Sequence, residues 1–390
     1  MATIESVGKK CCGCRTCEKI CPKKAIGMIY DKEGFLIPSI NHELCINCSL
    51  CEKKCPTRNE LINDFEQKYF GFVNSNPEDL INSASGGFGI FASKIILENG
   101  GYVCGCVYDE NNKPIHIVSN KFEDIMRMQS SKYVQSDTMN CFLEVKNLLV
   151  KGNKVLFTGT PCQVHGLKTY LGKDYENLLT IDIVCHGTPS PKLFEAYIHY
   201  LERKEKSSIK NYNFRYKGKK GWGRRYFYYY YCVETKKERT GDLGLDKYGE
   251  DFLKGSNFRE SCYDCNYSYY NKRPADITMA DFWGAYKKLP EKVNKKGLSS
   301  ILINTKKGMD FINENKNSAT IFECELGDVL PNQRNLNAPT ERNKLRDHYY
   351  DGFDDTFFDR KRKPSRIMRK IKSVTPKKIK SLIKKIIRKS

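Results

Sequence analysis

The feature that most constrains this chain is a repeated cysteine-proline register near its start. Cys11, Cys14, Cys17 and Cys21 precede Pro22, and Cys45, Cys48, Cys51 and Cys55 precede Pro56, so each half reads C-x2-C-x2-C-x3-C-P. Every one of these positions recurs 34 residues later, which makes the stretch an internal duplication. Three cysteines at this spacing wrap a tight loop round one face of a cubane and present three thiolates to three irons, and the fourth thiolate must come from elsewhere. The register therefore reads as two [4Fe-4S] half-sites laid end to end. A zinc ribbon, the competing reading, wants two well-separated C-x2-C pairs and not runs of three plus one with proline. Cys12 falls between two of the spaced cysteines, duplicates nothing in the second half and is read as a non-ligand.

Met1 to Lys10 has no apolar core of the length an export signal needs, so the thiols are expected in a reducing, cytoplasmic compartment and not in a disulfide framework. Between the two halves, Ala25–Tyr30 and Phe35–Ile40 flank the turn Asp31-Lys32-Glu33-Gly34, the pattern of a short hairpin. At 390 residues, 39% of them hydrophobic, the chain has ample length for a further packed domain. No run approaches the roughly 18 apolar residues of a membrane span, so a soluble or peripheral protein is expected. The net charge of +21 suggests nucleic acid until it is mapped: residues 360–390 hold 15 Lys or Arg and no acid, leaving +6 on the rest. In that tail Ile379, Leu382, Ile383, Ile386 and Ile387 recur at helical spacing among basic residues. Such a helix suits an anionic membrane surface, for instance the inner membrane face, better than nucleic acid, because apolar periodicity serves lipid and not phosphate. A flexible nucleic-acid arm and a solvated end are the other readings.

Downstream of a polar connector, Thr57–Gln67, short apolar runs alternate with helical patterns. Phe70–Val73, Gly101–Tyr108, Val155–Thr158 and Leu179–Val184 read as strands, and Ile90–Glu98 reads as a helix. The class is α+β / α/β: a small two-cluster ferredoxin-like module, a larger α/β domain, which the family resemblance given below makes flavin-binding, and a basic C-terminal helical tail. The boundaries are expected at 1–60 for the module, 66–150 and 151–345 for two parts of the large domain, and 360–390 for the tail. Two loops follow predicted strands, where open α/β sheets bind ligands: Phe157-Thr158-Gly159-Thr160-Pro161-Cys162-Gln163 and Asp182-Ile183-Val184-Cys185-His186-Gly187-Thr188-Pro189-Ser190. Further on stand the pair Cys262 and Cys265, then Arg273-Pro274-Ala275-Asp276-Ile277 and Asp281-Phe282-Trp283-Gly284. Ser85-Gly86-Gly87, between a strand and a helix, fits either a flavin pyrophosphate at a helix N-terminus or an ordinary cap and turn. The run Tyr226–Tyr231, with Arg224 and Arg225 before it, stacks a planar substrate or is an aromatic strand with no ligand. Cys104 and Cys106, two apart on a strand, face one side; Cys141, Cys232 and Cys324 are read as core thiols.

Two resemblances are carried by these residues. The doubled cysteine motif resembles two-cluster ferredoxins, in which the cysteine before proline crosses over. That resemblance assigns Cys11, Cys14, Cys17 and Cys55 to one cluster, and Cys45, Cys48, Cys51 and Cys21 to the other. The order SASGG, SSKYVQS from Ser130, GTPCQ, CHGTPS, C-x2-C and ADI…DFWG resembles the coenzyme F420-reducing hydrogenase/dehydrogenase beta-subunit family over roughly residues 70 to 330. The resemblance implies an FAD-binding iron-sulfur flavoprotein. It places Ser83, Ser85, Gly86, Gly87, Lys132, Tyr133, Thr160, Gln163, Gly187 and Thr188 at the flavin, although Lys132 and Tyr133 alone read as a surface pair. Cys162, Cys185, Cys262 and Cys265 match family motifs and number the four thiols of a third [4Fe-4S] cluster; buried free thiols are the bland alternative. His186 is the candidate catalytic proton donor, or a hydrogen-bond partner that stabilises its loop.

The expected function is an oxidoreductase that relays single electrons through [4Fe-4S] clusters to or from FAD. The partners implied are ferredoxin or another one-electron carrier on one side. On the other stands an organic molecule: a deazaflavin such as coenzyme F420, a nicotinamide coenzyme, or a cell-surface polysaccharide intermediate, exchanging a hydride equivalent. A membrane-peripheral scaffold with structural clusters is the alternative from another class.

Overall fold

The computed structural model describes residues 4–59, 61, 65–218, 221–223 and 225–361. The expected hairpin is present: β1 (Ile26–Tyr30) pairs antiparallel with β2 (Leu36–Ile40). Asp31 closes its turn by accepting from the backbone N–H groups of Glu33 and Phe35, both at 2.9 Å, a local side-chain bond that favours turn over strand. Two short helices, α1 (Thr16–Ile20) and α2 (Leu50–Lys53), occupy equivalent places in the two cysteine halves.

The large domain is built on one mixed sheet. In chain order its strands are β3 (Lys68–Asn74), β4 (Tyr102–Tyr108), β5 (Pro114–Ser119), β6 (Val155–Gly159) and β7 (Leu178–Ile183). After β8 (Ile209–Asn213), β9 (Phe227–Cys232) and β10 (Lys237–Asp242), which form a separate sheet, come β11 (Ile277–Asp281), β12 (Ser299–Ile303) and β13 (Ala319–Cys324). The spatial order is β13-β3-β12-β11-β7-β6-β4-β5. The central strands β11, β7, β6 and β4 run parallel, and the flanking strands are antiparallel to them or to one another.

The parallel strands are apolar on both faces, as strands covered twice must be. Val103, Leu156, Leu179 and Ile301 pack under α4 (Phe88–Glu98), α5 (Phe122–Met128) and the helix Lys306–Asn315. On the opposite face Cys104, Val155, Phe157 and Leu178 meet α6 (Cys141–Val150) and α7 (Pro161–Leu171). The result is a three-layer mixed α/β domain behind a ferredoxin-like region. The helix expected at Ile90 starts two residues earlier, because Gly87, at φ +85°, ends the preceding loop in the left-handed region that glycine tolerates.

The strands β8, β9 and β10 form the sheet of order β10-β9-β8, packed on α8 (Pro191–Glu205). Here the tyrosine run is a strand whose rings fill a core: Tyr228 and Tyr230 stack on Tyr212 at centroid distances of 6.3 and 6.0 Å. Among the described residues no helix is long and apolar enough to cross a membrane. The amphipathic tail read at 360–390 lies outside the described residues apart from Arg360 and Lys361.

Candidate functional site

The duplication seen in the N-terminal letters recurs in the backbone. Gly13 and Asn47, 34 apart, both have positive φ, as do Arg15 and Ser49 at the next equivalent positions. Left-handed turns between the first three cysteines curl each loop so that its thiols converge. Cys21 and Cys55 are extended instead, at ψ 114° and 123°, since proline disfavours a helical residue before it. Extension carries each of these thiols away from its own loop. Cys17 lies within electrostatic reach of Cys14, Cys11 and Cys55, whereas Cys21 shares a small pocket with Cys45, Cys48 and Cys51. Hydroxyls of Thr16 and Thr57 stand 3.3 and 3.2 Å from the sulfurs of Cys14 and Cys55. Burial raises the thiol pKa values of Cys17, Cys51 and Cys55, so these positions favour neutral sulfur unless a metal supplies positive charge.

The module is held against the sheet domain by buried polar contacts. Arg15 clasps the Asp137 carboxylate with two nitrogens, one of them at 2.7 Å. Thr16 donates to the Gly166 carbonyl at 2.9 Å, and Thr138 donates to the Cys14 carbonyl at 3.2 Å. Arg259 reaches from the far domain to the carbonyls of Cys11 and Leu36, at 2.5 and 2.7 Å. Gly166 lets this contact close up: a Cβ there would stand 2.9 Å from Thr16 Oγ1 and 3.1 Å from the Cys14 sulfur.

A second convergence of thiols lies just beyond this contact. Cys162 opens α7, Cys185 follows β7, and Cys262 and Cys265 come from a turn of 3-10 helix and its end, Glu260–Asp264 and the residue after it. Cys185 is within reach of Cys262, Cys162 and Cys265, and Cys265 of Cys162. Burial raises the Cys185 thiol well above its usual range and the Cys262 thiol to about 12. Cys162 is lowered, chiefly by a hydrogen bond from Cys12. Among the described residues no three Cys, His, Asp or Glu side chains close in tightly enough for one metal ion. A cubane makes a different demand, since its thiolates cap separate irons at the corners of a cube.

Cys185 also lines a cavity of about 530 Å³ at the C-terminal ends of the parallel strands, the place where open α/β sheets receive ligands. Its volume falls in the range of cofactor and small-molecule sites. Of the ten residues placed at the flavin by resemblance, nine line it: Ser83, Ser85, Gly87, Lys132, Tyr133, Thr160, Gln163, Gly187 and Thr188. Gly86 is behind the wall, its N–H donating to the Ser299 hydroxyl at 2.9 Å.

Most of these side chains already have partners. Ser83 donates to the Asp79 carbonyl and Ser85 to the Leu298 carbonyl, each at 2.7 Å. Thr160 and Gln163 cap α7 reciprocally. The Lys132 ammonium donates to the carbonyls of Arg127 and Gln129 at 3.1 and 3.0 Å, at the end of α5, and burial lowers its pKa. The first turn of α4 has no side-chain cap, however, and Gly87, Phe88 and Gly89 line the cavity. This leaves helix N-terminal N–H groups for an anionic ligand. His186 lines the wall with its ring edge-on to Phe252 and Phe258, its Nδ1 3.2 Å from Asn335 Oδ1. Burial lowers its pKa against the opposing Asn335 bond, so the imidazole is neutral.

Several lining residues had no signal of their own in the sequence. Arg215, buried, is bidentate to Asp281 at 2.7 and 2.8 Å, donates to the Tyr133 hydroxyl at 3.1 Å and lies 4.1 Å over the Tyr226 ring. Asp281 and Trp283 belong to a motif noticed in the letters, but Arg215 precedes Asp281 by 66 residues and stands in no motif.

Comparisons with known proteins bear on both regions. Residues 10–59 match the model of a 4Fe-4S dicluster domain. Residues 152–328 match the model for the C terminus of the coenzyme F420 hydrogenase/dehydrogenase beta subunit. The Ser83–Gly89 stretch precedes that match. Among solved structures, the chain is similar to one from a xenon-derivatised F420-reducing [NiFe] hydrogenase complex of Methanosarcina barkeri. The two share 19% identity over 70% of this chain and 87% of that one, with a TM-score of 0.45. No curated protein matches.

Proposed function

We propose that this chain, whose residues 10–59 match a 4Fe-4S dicluster domain and 152–328 the C terminus of the coenzyme F420 hydrogenase/dehydrogenase beta subunit, is an iron-sulfur oxidoreductase whose large cavity holds FAD with a third [4Fe-4S] cluster beside it. Bound flavin exchanges two electrons with an organic molecule, and bound clusters exchange one at a time, so together they convert between the two. The chain's own residues account for binding and orientation. Cys11, Cys14, Cys17 and Cys55 would hold one N-terminal cluster; Cys45, Cys48, Cys51 and Cys21 the other; Cys162, Cys185, Cys262 and Cys265 the third. Backbone N–H groups of Gly87 to Gly89 would take the pyrophosphate, with Gly187 and Thr188 lining the same cavity. Arg215 and Asp281, neutralising each other, would fix Tyr133 without leaving net charge in the cavity. His186, neutral and bonded through Nδ1 to Asn335, would keep its loop in place on the wall.

The observation that carries this reading is that Cys185 belongs both to the gathered thiols and to the cavity wall. Thiol set and cavity are therefore contiguous, as cofactors that exchange electrons need to be. The fit to a dinucleotide rests on the cavity's size and on the uncapped α4 terminus. The organic partner is a deazaflavin, a nicotinamide coenzyme or a polysaccharide-pathway intermediate, and the one-electron partner a ferredoxin-type carrier. The tail at 360–390 would rest on anionic lipid, which deletion of 362–390 tests by loss of vesicle binding. Anaerobic purification with flavin extraction and iron counting tests the main reading. A yellow chromophore bleached by dithionite, with about twelve irons per chain, is expected; intact clusters with no flavin would reject it in favour of a scaffold.

A further inference from the structure

The wall of the large cavity holds more cations than acids. Three basic side chains line it, Lys132, Arg215 and Arg334, against one carboxylate, Asp281. Arg215 occupies both Asp281 oxygens, at 2.7 and 2.8 Å, and Trp222 Nε1 adds a third bond at 2.7 Å. That pair is neutral and leaves two cations on the wall. Arg334 stands 3.5 Å from Glu341, and both are more than half exposed. Lys132 has main-chain carbonyls for partners.

A further cation stands behind the same wall. Lys217, four residues after β8 and only 4% exposed, donates to the carbonyls of Leu80 and Ser85 at 2.5 and 2.6 Å. An ammonium has three hydrogens. Among the described residues nothing accepts the third, and no carboxylate pairs with Lys217. The acids on the elements packed against it are engaged elsewhere: Asp79, beside Leu80, by Lys94 at 2.6 and 2.7 Å, and Asp281 by Arg215 and Trp222. Burial, with the Arg215 charge, lowers the Lys217 pKa to about 7, as befits a buried ammonium without a counter-charge. Such a charge is costly to bury unless an anion answers it.

The loop that Lys217 holds belongs to the cavity. Ala84, Ser85, Gly87 and Gly89 line it. Arg215 takes the Ala84 carbonyl at 2.9 Å and Lys217 the next one, so two successive carbonyl oxygens of the loop are matched to cations. Gly297 makes room for this: a Cβ there would stand 2.1 Å from the Ser85 oxygen and 2.8 Å from Lys217 Nζ.

We propose that Lys217 is a specificity-determining residue that supplies, from behind the Ser83–Gly89 loop, the counter-charge for a phosphate group of the cavity's ligand. It holds the loop carbonyls and acts on the ligand through space, so it favours phosphorylated ligands over neutral ones with the same ring. This rests on the reading of the cavity as a flavin site.

The test uses the full-length protein, reconstituted anaerobically and freed of flavin, as wild type and as Lys217→Gln, which keeps N–H donors for the carbonyls but carries no charge. Calorimetry measures binding of FAD, of riboflavin, which has the ring without phosphate, and of inorganic pyrophosphate competing with FAD. Lys217→Gln should weaken FAD and pyrophosphate about tenfold while riboflavin stays within about twofold. Equal weakening of FAD and riboflavin would make Lys217 a loop support only and overturn the proposal, as would unchanged FAD affinity. Wild-type protein gives a second reading that needs no variant: FAD bound no more tightly than riboflavin, with no competition from pyrophosphate, would overturn the proposal and leave the flavin. Wild type that binds neither flavin would reject the flavin reading itself, and this proposal with it.

Discussion

Arg15, inside the first cysteine loop, grips the carboxylate of Asp137, 122 residues away, with side-chain exposures of 13% and 3%. The pair joins the N-terminal module to the sheet domain. Truncating one member of a buried ion pair leaves the other uncompensated, so Arg15→Ala should lower stability by about 3 kcal/mol. Urea midpoints and proteolytic release of the module check this. Burial pushes the Asp137 carboxyl up, but the Arg15 bond, the Met139 N–H and Lys113 outweigh it, and the net shift is downward. A depressed carboxyl stabilises the fold above its unfolded pKa, about 3.9, and that contribution is lost as pH falls through the folded value. Asp137→Asn should therefore flatten the acid limb of a melting-temperature profile.

Cys262→Ser should remove about four irons per chain, because a cubane rarely survives without one of four thiolates. Cys324→Ser, on the sheet's edge strand and away from both thiol sets, should leave the count unchanged. Iron and acid-labile sulfide assays separate the two outcomes, and equal counts would return Cys262 to the ranks of buried free thiols.

Gly87 holds φ +85° at the start of α4. A side chain there is strained by roughly 1–2 kcal/mol, so Gly87→Val should weaken flavin retention about tenfold while the iron count stays constant. Flavin released by heat or acid, measured by fluorescence against iron in the same sample, reads the difference.

Electron delivery to the outer thiol set should depend on charge. Cys48 is exposed, with Leu44 and Ile46 bare at 52% and 56% beside it, and Lys23, Lys24 and Lys53 are exposed nearby. An acidic one-electron carrier would be steered here, and Lys23→Glu with Lys24→Glu should slow its electron transfer several-fold at low salt. Near 1 M salt, where the screening length is about 3 Å, the difference should vanish. Stopped-flow rates against ionic strength test it; a small neutral donor should show no effect.

What could be read from the letters followed the range of the interactions. Spacing within a few residues revealed the doubled cysteine loops, the Asp31 turn and the strands Val155–Thr158 and Leu179–Val184, because each depends on local backbone preference and alternation. The candidate cavity was visible as small residues after strands. Its charged wall was not: Arg215 meets Asp281 and Tyr133 only once the sheet of residues 209–242 has folded beside the main one. The bonds of Tyr267 to His165 and of Gln135, part of the SSKYVQS stretch, to the Cys12 carbonyl could not be read for the same reason, each joining segments more than 100 residues apart. The resemblance puts Lys132 at the cavity, which it lines, but no motif encodes that its ammonium meets the carbonyls that end α5.

The order of strands bears on how the molecule is made. β3, the first strand of the large sheet to leave the ribosome, lies between β12 and β13, the last two. It waits some 230 residues for its first neighbour, Ser299–Ile303, with its ladder open to unwanted partners. The cysteine loops before it close within sixty residues, whereas Cys162, Cys185, Cys262 and Cys265 are all present only once residue 265 of 390 has been made. These four thiols therefore gather later than the N-terminal loops, and the interval before Ser299–Ile303 is made is the aggregation-prone one for the nascent chain.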